Sequence, residues 1–282
     1  MIPRRNLSLL SNRLARIGGR RLPEAVLERD YCIAWFLVGL ATSPVRDVLV
    51  FKGGTALKRC YFGDYRFSED MDFTLRQEIP LDRILSGLRA LCGEVERQSG
   101  VVIRLAREDP ELHTNTHTFY LGYEGPLPGG GKEIKVDITR REWLASPPTS
   151  RPVLRGYEEY SDLPDDAKIL VYSLAEIGIE KLVALTDPAR NEPRDLYDLW
   201  FLLEGEHVRL EEIQEDFLQK LAFKGHAGAS TGEALVRKEA RLKRDWERRL
   251  AGQMTGLPPF EAVMRSVRRR FRQHGMLGAA GD

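Results

Sequence analysis

The chain is short of the features that would place it in several large protein classes. It has three cysteines in 282 residues, Cys32, Cys60 and Cys92, an odd number without metal-ligand spacing. That argues against a disulfide framework or a zinc ribbon, and for the reduced, buried thiols of a cytosolic protein. Neither sign of charge is in excess: 43 Lys and Arg against 42 Asp and Glu leave +1 with His neutral. The molecule as a whole therefore offers no field to a polyanion, and any nucleic-acid contact must come from a local basic patch. Long apolar runs are missing too. The longest, Cys32 to Ala41, is too short to span a bilayer, so no membrane association is expected. The opening residues, MIPRRNLSLLSNRLARIGG, carry no sustained apolar segment, so a secretory signal is not expected. No internal repeat and no long low-complexity tract stands out. What is present, 42% hydrophobic and 30% charged residues, is the balance of a soluble globular chain with enough length for one large domain or two smaller ones.

One stretch, Val48 to Leu75, concentrates the chemistry. Val48 to Phe51 is a short β-branched apolar run and reads as a buried strand. Lys52-Gly53-Gly54-Thr55 breaks it, and a helical turn is expected over Ala56 to Tyr61. A second strand then carries Asp70, Met71, Asp72, Phe73, Thr74 and Leu75. Alternation puts Asp70 and Asp72 on one face and Met71 and Phe73 on the other. Two carboxylates at one edge suit a hard divalent cation. The Gly53-Gly54-Thr55 turn offers backbone N–H groups and a hydroxyl where a helix begins, which suits a phosphate. Together these are the minimum for phosphoryl or nucleotidyl transfer. Farther on, Glu133–Thr139 reads as a strand in which Asp137 shares a face with Lys135 and Thr139, opposite Ile134, Val136 and Ile138.

FKGGTAL followed by RFSEDMDFTL resembles the core signature of the AbiEii/AbiGii family, nucleotidyltransferase toxins of type IV toxin–antitoxin systems within the DNA polymerase β-like superfamily. The resemblance implies an α+β fold, a nucleotidyltransferase core with a small mixed sheet followed by a helical C-terminal half. It implies Mg²⁺ or Mn²⁺ held by Asp70 and Asp72, with Asp137 as the third carboxylate that such enzymes place on a neighbouring strand. It implies an NTP substrate, with Lys52, Gly53, Gly54, Thr55, Arg66 and Ser68 around the nucleotide. The acceptor it suggests is RNA, most plausibly the 3′ end of tRNA, with arrested translation as the outcome. A cognate antitoxin and a cytoplasmic setting follow from the same likeness. Glu28-Arg29-Asp30-Tyr31 also matches the family and reads as structural support for the site.

The rest of the chain is ordered around that core. An N-terminal helix or arm covers residues 1–20, a buried helix follows Pro23, and an amphipathic helix runs from Leu81 to Gln98. Strands are expected over Val101–Ala106, Thr116–Tyr123 and Ile169–Tyr172, with a Gly/Pro-rich loop at 124–132. Pro147, Pro148, Pro152 and Pro164 mark a connection, and the expected division is 1–165 and 166–282, the second part completing the active site. Ser173 and Glu176 form a capping-box pattern. Lys181 with Asp195 in PRDLYDL resembles the family's downstream motif. From the residues, Lys181 is either a point cation for a triphosphate or half of an interhelical salt bridge, and Asp198 competes with Asp195 for the acidic role. Its helix already has an apolar face of Ile177, Leu182, Val183 and Leu185, so the lysine is expected to leave the core. Arg265, Arg268, Arg269 and Arg270 on the last helix are the basic patch expected to meet RNA. Two other classes remain, a nucleotidyltransferase that modifies protein hydroxyls and a non-catalytic nucleotide-binding or partner-binding member. The intact Asp70-Met71-Asp72 argues against the last.

Overall fold

Alternation along residues 133–139 shows how the first part of the chain folds. In the computed structural model of the protein, which describes residues 1–109 and 114–277, Ile134, Val136 and Ile138 are buried while Lys135, Asp137 and Thr139 are partly exposed. A strand of that kind has one face in a core and the other open. It is β5 (Glu133–Thr139) of a seven-stranded sheet that also contains β1 (Leu49–Lys52), β2 (Met71–Leu75), β3 (Val102–Glu108), β4 (Thr116–Glu124), β6 (Thr149–Pro152) and β7 (Lys168–Val171). The strand order is β3-β4-β5-β2-β1-β7-β6. The β2–β5 and β1–β7 pairs are parallel and the others antiparallel, so the sheet is mixed.

The described residues form two compact units. The first comprises Met1–Glu142, Pro148–Tyr172 and Gln253–Thr255; the second comprises Trp143–Pro147, Ser173–Gly252 and the described residues from Gly256 on. The whole sheet lies in the first unit, with α1 (Arg4–Gly18), α2 (Glu24–Leu40), α3 (Gly53–Ala56) and α4 (Leu81–Ser99). From Tyr31 to Leu40 every residue of α2 is buried, which is why its sequence shows no polar stripe. Helix α4 is amphipathic, with Ile84, Leu88, Leu91 and Val95 inward. Helices α2 and α4 approach closely at Gly39, where a Cβ would stand 2.5 Å from Val95 Cγ2. Strand β6 falls in the segment whose prolines suggested only a connector. It pairs antiparallel with β7 at the end of the sheet, the place where a strand can carry a proline because one of its edges needs no partner.

The second unit holds α5 (Leu174–Thr186), α6 (Pro193–Glu204), α7 (Leu210–Phe223), α8 (Thr231–Leu250) and α9 (Phe260–Gln273), making nine helices among the described residues. Ser173 caps α5, its Oγ accepting from the Glu176 amide at 3.0 Å. Only that half of the capping box forms here. The Glu176 carboxylate is buried against Lys220 and accepts from the Ala145 amide at 2.8 Å. No helix among the described residues is long and apolar enough to cross a membrane.

Candidate active site

The register of the central strands assembles a polar row. Lys52 on β1 pairs with Asp72 on β2, Asp72 with Asp137 on β5, and Asp137 with Thr118 on β4. Directly paired residues share a face, so these four side chains line one face across four adjacent strands. Met71, Phe73, Val136 and Ile138 fill the opposite, buried face. One step along, Thr74 pairs with Thr139. Lys52 Nζ donates to Thr139 Oγ1 at 3.1 Å, and the Thr74 and Tyr172 hydroxyls are bonded at 2.6 Å. The polar face therefore holds two partly exposed carboxylates, Asp72 and Asp137, next to the buried Lys52, Thr74 and Tyr172.

Gly53 brings the backbone close to the Asp72 carboxylate. Its φ is +78°, and a Cβ added there would stand 2.7 Å from Asp72 Oδ2. Both the left-handed conformation and the close approach require glycine. Gly53→Ala is accordingly expected to cost about 1–2 kcal/mol of stability from the backbone alone. It should also push the Asp72 carboxylate aside and lower nucleotide transfer by roughly tenfold or more, since small displacements of reacting groups are costly. Thermal unfolding and transfer measured on the same preparation check both parts.

The expected nucleotide-contact residues divide into two groups. Gly53 is partly exposed, as are Asp70 and Asp72, whereas Lys52, Gly54, Thr55, Arg66 and Ser68 are buried. The Thr55 hydroxyl donates to the Asp70 carbonyl at 2.5 Å, so it holds the chain that delivers Asp70. The Arg66 guanidinium, 2% exposed, donates to the Phe67 carbonyl at 3.2 Å and to Gln253 Oε1 at 3.1 Å. It acts as a strut within the unit, an arrangement that its position in RFSED does not reveal.

Behind the glycine turn lies a buried ionic frame. Helix α3 passes directly into a π turn, Leu57–Tyr61, in which Leu57, Lys58, Arg59 and Cys60 are all buried. Arg59 forms a two-pronged pair with Asp30 of α2 and donates to the Leu154 carbonyl at 3.0 Å, and the Tyr160 hydroxyl donates to Asp30 at 3.1 Å. Lys58 spends its three protons on the carbonyls of Gly63 (3.2 Å) and Tyr65 (3.1 Å) and on the Tyr157 hydroxyl (3.0 Å). Phe67 lies 4.0 Å from the same ammonium. Burial pushes Lys58 down to about 8. This frame ties the turn to the segment leading into Asp70. The signal for it in the sequence is Glu28-Arg29-Asp30-Tyr31, where a charge, Asp30, stands at the start of the apolar half of α2 and must find a partner.

Asp137 is engaged within its own sheet. Lys135 Nζ donates to it at 2.8 Å and Thr118 Oγ1 at 2.6 Å. Partial burial pulls the Lys135 ammonium down, but the bond and charge of Asp137, with the charge of Asp70, outweigh that and raise it. Among the described residues, no three His, Cys, Asp or Glu side chains stand together as a metal-holding group. Asp137, the third carboxylate expected beside Asp70 and Asp72, pairs with Asp72 across the β2–β5 register while its oxygens are held by Lys135 and Thr118. Asp70 and Asp72 do suit a hard cation. Both ligating groups are carboxylates, and Gly53 leaves open the space in front of Asp72 that any side chain would fill.

In the second unit Lys181 does not leave the core. It is 7% exposed, and Nζ lies 2.7 Å from Asp195 Oδ1 and 2.8 Å from Asp198 Oδ2. Arg190 Nε adds a 2.6 Å bond to Asp195. Burial works to raise the Asp195 carboxyl, but the Lys181 and Arg190 charges overcome it and hold the group well below the usual carboxylate range. Both aspartates of the motif therefore share the lysine, and the expected exposed side chain is instead an α5–α6 link. Glu176, Gly178 and Ile179 of α5 are buried along with Ile177, Leu182, Val183 and Leu185, so nearly the whole helix is enclosed. The α9 arginines are also engaged. Arg268 is 2.9 Å from Glu239, while Arg270 and Arg269 lie 3.5 and 4.0 Å from Glu204. Arg265 stays exposed.

Comparison with known proteins bears on the family and the fold. The family described as nucleotidyl transferase AbiEii toxin, type IV TA system, matches residues 35–267. No curated protein matches. Among solved structures, the chain is similar to MenT4, the nucleotidyltransferase toxin Rv2826c from Mycobacterium tuberculosis H37Rv, at a TM-score of 0.66 and 20% identity. That match covers 96% of this chain and 91% of the other. It is also similar to JHP933 from Helicobacter pylori, at a TM-score of 0.57 and 22% identity over 91% of this chain and 95% of the other. At these identities the likeness speaks for the fold.

Proposed function

Because the chain belongs to the AbiEii family of nucleotidyltransferase toxins of type IV toxin–antitoxin systems, we propose that it transfers a nucleoside monophosphate from an NTP to RNA in the cytoplasm. The acceptor we favour is the 3′ end of tRNA, the consequence a block of translation, and the restraint a cognate antitoxin. The observation that carries the chemical part is the contact between Gly53 and the Asp72 carboxylate, with Asp70 beside it on the loop held by Thr55. Asp70 and Asp72 would hold Mg²⁺ or Mn²⁺, which when bound supplies charge to activate a hydroxyl and to stabilise a leaving phosphate. The turn at Gly53 and Gly54 leaves room for a phosphate to approach backbone, and the Lys52 ammonium adds a positive charge on the same face. Lys135 holds Asp137 in place, and Asp137 adjoins Asp72 across the β2–β5 pair, where it can orient an incoming group.

The test is direct. The protein is incubated with total RNA, Mg²⁺ and each labelled NTP in turn. Label is expected in RNAs of tRNA size, with a preference for one of the four nucleotides. Label that enters protein and never RNA would overturn the RNA reading in favour of a transferase acting on protein hydroxyls.

A further inference from the structure

The arginines expected to grip RNA lie on α9, and most of them are already paired with carboxylates. A second basic stretch lies at the other end of the chain, and within it Arg5 and Arg16 are exposed. Residues 1–23 contain Arg4, Arg5, Arg13, Arg16, Arg20 and Arg21 and no Asp or Glu. Helix α1 buries Leu7, Leu10, Ser11 and Leu14 within the first unit, and Arg13 anchors it there through two bonds to Glu159 at 2.7 and 2.6 Å. With that face committed, Arg5, Leu9, Asn12 and Arg16 form the exposed stripe at spacings of three and four residues. Arg5 and Arg16 stand about 16 Å apart along the axis at 1.5 Å per residue. The nearest acid to this stripe in sequence, Glu24, is drawn toward Arg4 and Arg21 at 3.8 and 3.7 Å.

We propose that the exposed face of α1, centred on Arg5 and Arg16, is where this protein binds the phosphate backbone of its RNA acceptor. The inference rests on the RNA reading above. Guanidinium forks match phosphate oxygens and stay charged at every relevant pH. A helix face with positive charge and no negative charge is complementary to a polyanion and indifferent to its sequence. Leu9 and Ile17, 47% and 73% exposed, give that face small apolar surfaces for sugar or base. They do not make it a membrane helix, because the apolar side that would enter lipid is already buried in the core.

The experiment is binding of fluorescein-labelled total tRNA to the full chain, followed by anisotropy across about 50–200 mM KCl. Arg5→Ala/Arg16→Ala should melt with the wild type, since both side chains are exposed. Each lost phosphate contact removes about 0.7–0.9 from the slope of log affinity against log salt, so the double variant should lose about 1.4–1.8 and bind roughly tenfold or more weakly. Arg5→Lys/Arg16→Lys should keep most of the slope. Wild-type binding with an unchanged slope in the double alanine variant overturns this surface and leaves the RNA reading standing. No wild-type binding to any RNA overturns both. Binding to phosphatidylserine vesicles that the alanine variant loses, with RNA binding unchanged, would make the face a membrane contact instead and also overturn the proposal.

Discussion

Asp72→Ala is expected to lower nucleotide transfer by about a thousandfold or more, roughly 4 kcal/mol of transition-state stabilisation, with the fold intact. The reason is its position. Asp72 is the central member of the polar row, paired with Lys52 on one side and Asp137 on the other, and its Oδ2 lies 2.7 Å from where a Cβ on Gly53 would stand. Its side chain points away from the core that Met71 and Phe73 fill, so its loss leaves no cavity. Asp72→Asn keeps the shape and removes the charge, and should be nearly as inactive. Transfer is read with labelled NTP and RNA, folding by thermal unfolding. An Asp72→Asn protein that melts normally and transfers at the wild-type rate would remove Asp72 from the reaction.

Lys181→Ala is expected to destabilise the second unit strongly, by about 3–5 kcal/mol. Lys181 is the ammonium that both Asp195 and Asp198 face, and all three are almost wholly buried. Removing it takes the counter-charge from carboxylates that have already given up their hydration, which costs far more than the loss of an exposed ion pair. A Lys181→Met variant combined with Asp195→Asn and Asp198→Asn should recover much of the loss, because the buried charges go together. The pH dependence has a definite sign. A carboxyl held below its ordinary value stabilises the fold above about pH 3.9 and loses that contribution as the pH falls through its depressed value. Wild type should therefore lose this contribution in acid, and Lys181→Ala should show a shallower acid limb. Denaturant melts at several pH values test this, and an unchanged melting point in Lys181→Ala would refute the buried link. The family likeness also gives this lysine a part in transfer. That part is read separately from the rate of the folded variant in the cold, which equals wild type if the residue is structural only.

Much of the fold was legible because the signals are local. The alternation at 133–139, the apolar spacing of α4 ended by Gly100 in a left-handed cap, and the Ser173 cap each appear where the residues say they should. Strand β6 was not legible, because Thr149–Pro152 is polar and holds a proline, and it is a strand only because β7 offers it an edge. The site divides in the same way. The Gly53 turn and the orientation of Asp72 could be read off the chain, since glycine tolerance and period-two alternation are properties of a few consecutive residues, whereas Asp70, expected in the same strand, lies just before β2.

What the sequence by itself determined is the family, the order of strand, glycine turn, helix and strand, and the carboxylate pair. What only the tertiary structure decided is which charged side chains are spent. Thr55 and Arg66 look like ligand contacts in a line of text, but in the fold they hold Asp70 and Phe67 in place. Lys181 appears free on a helix and is enclosed between two aspartates, and the α9 arginines Arg268 and Arg270 are met by Glu239 and Glu204 while Arg5 and Arg16 of α1 stay exposed. The physical reason is that a charge has no fixed value along a chain. Its energy depends on how much water it keeps and which opposite charge comes within about 4 Å, and residues far apart in sequence settle both.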